Sequence, residues 1–309
     1  MSDKSFEIYL VRPNLSPLTG GEIRNYFRGR RNMAIEKEGA GLSVTYRNPL
    51  TSASFVFAYN SDGLKHAAER PGEAFQSVQL SCAIDYLRPS FYAYEASVEI
   101  EKLTTELSLS ALSPHSRKSP DTPDMFVAPE MLRDWQEANR AAISEELSNG
   151  GKVSAVSPRY TGMLWKYLIV RKRMEEKVGE GVQVPDMVVM RAGGGTSART
   201  MVKWDDAAPM ALPPCQSVLI HRVRRKGIFG IGRKVEDGIA NYEDALSTMK
   251  PFMQEVALDK PRYSLPVLMP DMAKKAHKAF RQIPLNPLPE GLEPVKDNAF
   301  VDVLPSVKG

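Results

Sequence analysis

Two rhythms of apolar residues organise this chain, a strand-like alternation and a helical stripe, with Gly and Pro clusters marking where one gives way to the other. Residues 187–226 show the first most clearly. Two short apolar stretches, 187–190 and 200–204, are joined across Gly193, Gly194 and Gly195. A third, 217–223, follows a turn that contains Pro209, Pro213 and Pro214. β-Branched and apolar runs bounded by Gly and Pro predict strands, and glycine supplies the positive φ of a hairpin. The spacing therefore predicts an antiparallel sheet here, with the rest of the C-terminal half packed on it.

In the N-terminal half, residues 6–11 predict a first strand stopped by Arg12 and Pro13. Residues 22–27 predict a short helix with Ile23, Tyr26 and Phe27 on one side. Strand-like runs follow at 32–36, 42–46 and 53–59, the last showing Phe55, Phe57 and Tyr59 on one face, with Asn48-Pro49 as a turn. Residues 75–86 continue the sheet. After Arg88-Pro89-Ser90 the rhythm becomes helical: Tyr92, Ala96, Ile100, Leu103 and Leu107 form one stripe. A strand through Leu109 and Leu112 closes the first domain.

Residues 113–129 hold four prolines among polar residues and read as a linker or long loop. A helix over 130–147 follows, with Leu132, Trp135, Ala138 and Ala142 on one face. Another runs from Ser157-Pro158 to about residue 178, with Leu164, Trp165 and Leu168 inward and Arg171, Lys172 and Arg173 outward. Asn241 caps a helix whose first turn holds Glu243 and Asp244, and which ends or kinks at Lys250-Pro251. Asp271 caps the last helix, striped by Met272, Ala276, Phe280 and Ile283. From Pro284 the tail holds five prolines and reads as extended, with a strand at 299–303. The expected fold is α+β in two domains, each a mainly antiparallel sheet packed against helices, over 1–112 and 130–309.

Composition bounds this picture without redirecting it. A chain of 309 residues accommodates two domains of about 100–200 residues each. Apolar residues at 42% and charged residues at 25% fit a globular protein, neither disordered nor membranous. No run of about 18 apolar residues offers a bilayer span. The first residues lack the apolar core and cleavage site of a signal peptide, so a cytoplasmic location is expected. Cys82 and Cys215 have no nearby second cysteine and read as small buried hydrophobes. A formal charge of +4 is mild for this length and does not by itself imply a nucleic-acid partner.

Candidate chemistry is sparse. Residues 227–234 space two glycines like a phosphate-binding loop, yet Arg233 fills the lysine position and Lys234 the hydroxyl position, which leaves nothing for Mg²⁺. The glycines at 193–195 read as a turn before they read as an anion cradle. His66, His115, His221 and His277 lack metal-ligand spacing, so neither a metal nor a cofactor is expected. Glu95 and Glu99 share a helical face and could do acid/base work only in an apolar pocket. Basic residues cluster at Arg222, Arg224, Arg225, Lys226, Arg233 and Lys234, and again at Lys274, Lys275, Lys278 and Arg281. Facing one way, the two groups would track phosphates; facing apart, they are a solvated surface. Tyr86, Arg88, Phe91, Tyr92 and Tyr94 crowd one corner of the first domain, a composition that serves protein interfaces and helix packing alike.

Three stretches carry a resemblance. Residues 46–51 (Tyr-Arg-Asn-Pro-Leu-Thr) leading to 55–57 (Phe-Val-Phe), residues 85–93 (Asp-Tyr-Leu-Arg-Pro-Ser-Phe-Tyr-Ala), and Trp165 with Pro185 and 204–213 resemble a family of uncharacterised bacterial proteins. Proteins of that kind resemble the immunity and accessory proteins encoded beside bacterial toxins. Where such a protein would carry a glycine after the threonine, this chain has Ser52-Ala53-Ser54. The resemblance implies a non-enzymatic module that binds and occludes one cognate toxin or secretion-system component. The mild basicity suits a target other than a nuclease, or else an acidic patch that is only local, because nuclease inhibitors present acidic faces to a basic cleft. Two further readings stand beside it: an enzyme on a small anionic substrate with an interdomain site, and a nucleic-acid-binding protein using the basic patches.

Overall fold

A computed structural model describes residues 5–13, 18–36, 41–60, 75–112, 126–193, 195–225, 233–296 and 299–302. The fold is α+β, with helices and several mostly antiparallel sheets. Contacts divide the chain into two compact units, Met1–Val153 with Val301–Gly309, and Ser154–Phe300. The division falls after the helix expected over 130–147, which belongs to the first unit. Most of the proline-rich stretch 113–129 lies outside the described residues.

The first unit runs β1 (Ser5–Pro13), α1 (Gly20–Phe27), β2 (Met33–Glu36), β3 (Leu42–Arg47), β4 (Ser54–Tyr59), β5 (Phe75–Asp85), α2 (Phe91–Leu107), β6 (Ser110–Leu112) and α3 (Ala128–Ser148). Its six strands form one sheet in the order β2-β3-β4-β5-β1-β6, antiparallel throughout. Alternation decides which side is core. Leu42, Val44 and Tyr46 of β3 are buried, and opposite them across β4 stand Tyr59, Phe57 and Phe55. Phe6, Ile8 and Leu10 of β1 pair with Ile84, Cys82 and Leu80 on the same side. Phe27 of α1 meets Phe57 there, with ring centroids 5.0 Å apart.

α1 begins earlier than its apolar residues suggest because Thr19 and Glu22 form a reciprocal capping box. The Thr19 backbone N–H and hydroxyl both donate to the Glu22 carboxylate, which holds its pKa below the ordinary glutamate value. In α3 the buried stripe is Met131, Trp135, Asn139 and Ile143; Leu132, Ala138 and Ala142 are half-buried. A polar residue in the middle of that stripe disguised it. Asn139 is fully buried, accepts from the Leu87 N–H at 2.8 Å and donates to the Arg88 carbonyl at 3.3 Å, so it ties α3 to the turn before α2. That turn places Leu87 at φ +59°.

The second unit runs β7 (Ser154–Ala155), α4 (Pro158–Val178), β8 (Val188–Arg191), β9 (Ala198–Asp205), β10 (Met210–Ala211), β11 (Ser217–Arg225), β12 (Arg233–Asn241), α5 (Tyr242–Met249) with a 3₁₀ turn Lys250–Phe252, β13 (Met253–Leu258), β14 (Tyr263–Leu268), α6 (Pro270–Phe280) and β15 (Glu293–Pro294). Five strands form a mixed sheet in the order β12-β11-β9-β8-β15, and β10-β14-β13 form a second, antiparallel one. The expected hairpin is present, pairing Val188 with Met201. β11, however, lies parallel to β9, with Ser217 opposite Met201. Residues 206–216 leave the first sheet, contribute β10 to the second, and return, which is the crossover that a parallel neighbour requires.

The proline-rich tail straps this sheet from one side to the other. Asn286 exchanges both backbone hydrogen bonds with Ile239 of β12 at 2.8 and 2.9 Å. Further along, Gly193 N–H donates to the Glu290 carbonyl at 3.2 Å, and Val295 N–H donates to the Val189 carbonyl at 2.8 Å. Backbone approaches this close exclude side chains. A Cβ on Gly238 would lie 2.9 Å from the Asn286 carbonyl oxygen, and one on Gly291 would lie 3.1 Å from the Gly193 Cα. Gly193 thus admits the tail, a role beyond that of a turn glycine.

Candidate interaction surface

A buried carboxylate organises the polar chemistry of the first unit. Glu95 of α2 is 7% exposed. Its Oε2 accepts from the Tyr46 hydroxyl and from Asn48 Nδ2, both at 2.9 Å, and its Oε1 accepts from the Thr51 hydroxyl at 2.7 Å. Burying a carboxylate is unfavourable unless donors replace its water, and here three side chains do so. All three come from the β3 end and the turn after it. Burial, with the Glu95 carboxylate beside it, pushes the Tyr46 phenol well above its ordinary pKa.

The turn itself is closed locally. Asn48 Oδ1 accepts from the Leu50 N–H at 3.0 Å, the Ser52 N–H donates to the Asn48 carbonyl at 2.8 Å, and the Asn48 N–H donates to the Ala53 carbonyl at 2.9 Å. Ser52 takes φ +59°. The Tyr92 hydroxyl donates to the Ser52 carbonyl at 2.9 Å, a second bond between α2 and the turn. α2 is held at its own start by Asp302, whose carboxylate accepts from the Ser90 hydroxyl at 2.6 Å and from its N–H at 3.1 Å. Burial raises the Asp302 pKa, against the pull of those Ser90 donors.

What this framework displays is apolar and aromatic. The residues just before the two ends of the Thr51–Glu95 bond are Leu50 and Tyr94, which are 40% and 45% exposed. Arg47, at the end of β3, is exposed as well. Of the five residues expected at this corner, Tyr94 alone stands well out. Phe91 and Tyr92 are packed in the core, so they form the helix's packing face and not a contact surface. Tyr86 and Arg88 are half-buried, the Arg88 guanidinium lying 5.8 Å from the centroid of the Tyr92 ring. Glu95 and Glu99 do not act as a pair: Glu99 bonds Lys102 at 2.6 Å while Glu95 faces the turn. The sequence signal for this hub was a glutamate inside the apolar stripe of α2, between Tyr92 and Ala96.

The second unit uses its expected basic cluster differently. Arg222 is 4% exposed. Its Nη1 donates to the carbonyls of Arg281 and Ile283 at 2.9 and 3.0 Å, and its Nε to Glu236 at 2.8 Å. A guanidinium at a helix C-terminus satisfies carbonyls that have no partner within the helix, and it suits the negative end of the dipole. Arg222 is therefore a fastener for α6 and is not available to a phosphate. Lys226 and the side chains of Arg224, Arg225, Arg233 and Lys234 lie outside the described residues. Lys274, Lys275, Lys278 and Arg281 are exposed on and just beyond α6.

Arg233 opens a strand, where a phosphate-binding loop would pass into a helix. His221 Nδ1 lies 2.6 Å from Asp237, and His277 Nε2 lies 3.3 Å from Asp206; His66 and His115 lie outside the described residues. Among the described residues no group of three or more His, Cys, Asp or Glu could hold a metal ion, and no helix is long and apolar enough to cross a membrane. Both cysteines are buried, and burial pushes the Cys215 thiol up to about 12. Comparison of the chain with protein-family models, curated proteins and solved structures gave no match.

Proposed function

We propose that this chain is a protein-binding module that makes and breaks no bond, of the class that neutralises a cognate toxin in the cytoplasm of the producing cell. One observation carries the reading: a turn locked to α2 through the buried Glu95 carboxylate holds Leu50 and Tyr94 in the open. A tyrosine exposed on a pre-ordered framework suits an anchor, with the leucine adding apolar area beside it, because little backbone entropy remains to be lost when a partner covers them. The carboxylate at the centre has hydrogen-bond donors on both oxygens, which suits holding a shape. The toxin-neutralising part rests on the resemblance carried by residues 46–51 and 85–93, the same stretches that build this framework.

The test is protection. A strain deleted for the chain becomes sensitive to killing by sister cells, and the wild-type chain restores resistance. Leu50→Asp with Tyr94→Ala, folded as judged by unchanged melting, fails to restore it, since loss of a central anchor costs about 2 kcal/mol or more, roughly thirtyfold in affinity. A deletion strain that stays resistant, or a double variant that protects fully, would overturn the proposal.

A further inference from the structure

The outer edge of the first unit's sheet carries chemistry that the sequence did not single out. β2 is the terminal strand of the order, paired on one side to β3. In an antiparallel ladder alternate residues turn their N–H and C=O groups toward opposite neighbours. The Arg47 N–H donates to the Asn32 carbonyl at 2.8 Å, so Asn32, Ala34 and Glu36 face β3 while Met33 and Ile35 face outward. The Met33 N–H makes a long turn contact of 3.4 Å to the Arg30 carbonyl. Among the described residues, nothing occupies the Met33 carbonyl or the N–H and carbonyl of Ile35. The Ile35 side chain is 38% exposed beside them.

Exposed arginines lie on the segments that lead into and pair with the Met33 end of β2. Arg24 is exposed on α1, Arg28 is exposed at its C-cap, Arg31 follows in the turn into β2, and Arg47 of β3 donates its N–H to the carbonyl of Asn32, the residue after Arg31. All four are exposed, and among the described residues no carboxylate pairs with any of them. The nearby acids are engaged elsewhere. Glu22 caps α1 through Thr19, and Glu106 takes Arg30, whose guanidinium lies 3.7 Å from the Tyr26 ring centroid. Glu36 sits at the other end of β2, so charge falls from positive to negative along the strand.

We infer that β2 accepts an extended, acidic segment of a protein partner as an added strand, with its carboxylates against Arg24, Arg28, Arg31 and Arg47. The inference rests on the protein-binding reading and gives the partner a chemistry. Free main-chain groups in a row select a polypeptide, because a strand returns both an N–H and a C=O at the spacing that β2 offers. Arginine forks select carboxylates, and they set the direction in which the added strand lies.

The probe is a fluorescent peptide of alternating Glu and Val, with a Gln and Val analogue and a single-stranded oligonucleotide of equal length as comparisons. Binding to the full chain is followed by anisotropy. The acidic peptide binds, the neutral analogue binds about tenfold more weakly or worse, and raising salt from roughly 0.01 M to 0.15 M weakens the acidic peptide alone. Arg31→Glu with Arg47→Glu costs about tenfold or more, whereas Lys166→Glu with Lys172→Glu on α4, the same change in net charge, leaves binding intact. Ile35→Pro removes one outward N–H and no ladder bond to β3, and it abolishes binding while the sheet still forms by circular dichroism. If that variant unfolds, the arginine pair still decides.

No binding of the acidic peptide, full binding by folded Ile35→Pro, or an oligonucleotide that binds in its place would each overturn the inference. The protein-binding reading stands or falls separately, on Leu50 and Tyr94 in the killing assay.

Discussion

Replacing Glu95 with alanine tests the framework where it is most concentrated. The substitution strips the acceptor from Tyr46, Asn48 and Thr51 at once. Tyr46 and Thr51 are 6% and 1% exposed, so water does not simply take the carboxylate's place. A buried hydroxyl left unsatisfied costs about 1–3 kcal/mol, and removal of the desolvated carboxylate returns part of that, for a net loss of about 3 kcal/mol. At roughly 2–4 °C per kcal/mol for a unit of this size, the first unit's melting point falls by about 6–12 °C. Differential scanning calorimetry on wild type and variant reads the change directly.

A cycle with Thr51→Val isolates the bond from general damage. That substitution costs about 1–2 kcal/mol in the wild type and about 1 kcal/mol less once Glu95 is gone, the remainder reflecting the Ala53 N–H that also donates to the Thr51 hydroxyl. A loss under about 1 kcal/mol for Glu95→Ala, or an equal cost of Thr51→Val in both backgrounds, refutes the claim that this carboxylate holds the turn.

Two further substitutions probe the other polar fasteners. Arg222→Met removes the guanidinium from the Arg281 and Ile283 carbonyls and from Glu236; it costs about 3 kcal/mol, and hydrogen exchange in α6 accelerates ahead of β9 and β11, whereas uniform exchange would argue against a local role. Asp302 has a folded-state pKa raised by burial, so the stability linked to it is complete below the unfolded value near 3.8 and is lost as pH rises through the folded value. Asp302→Asn removes that loss. Its stability relative to wild type therefore climbs as pH rises from below 3.8 through the raised folded-state value in urea titrations, and a flat difference contradicts the assignment.

Elements whose burial follows apolar spacing were legible in the sequence. α2 buries Tyr92, Ala96, Ile100 and Leu103, as its stripe predicts, and β4 buries Phe55 and Phe57. Legibility failed where a polar residue is buried for its hydrogen bonds, as Asn139 shows in α3 and Glu95 in α2. It failed again where pairing joins distant segments, since nothing local distinguishes a parallel β11 from an antiparallel one. β14 was hidden by Pro266, which breaks the appearance of a central strand although its carbonyl accepts from the Leu212 N–H at 2.9 Å. At the candidate surface the sequence brought Tyr94 and its neighbours to notice. It could not sort them, because Phe91, Tyr92 and Tyr94 differ only in which way α2 turns them.

Hydrogen exchange on the chain bound to its cognate partner, compared with the chain alone, reads out where the partner is held. Slowed exchange is expected in residues 47–52, at the start of α2 and along β2, with the surface of α6 unchanged. Protection that leaves the turn and α2 untouched and falls instead on Lys274, Lys275 and Lys278 would contradict it.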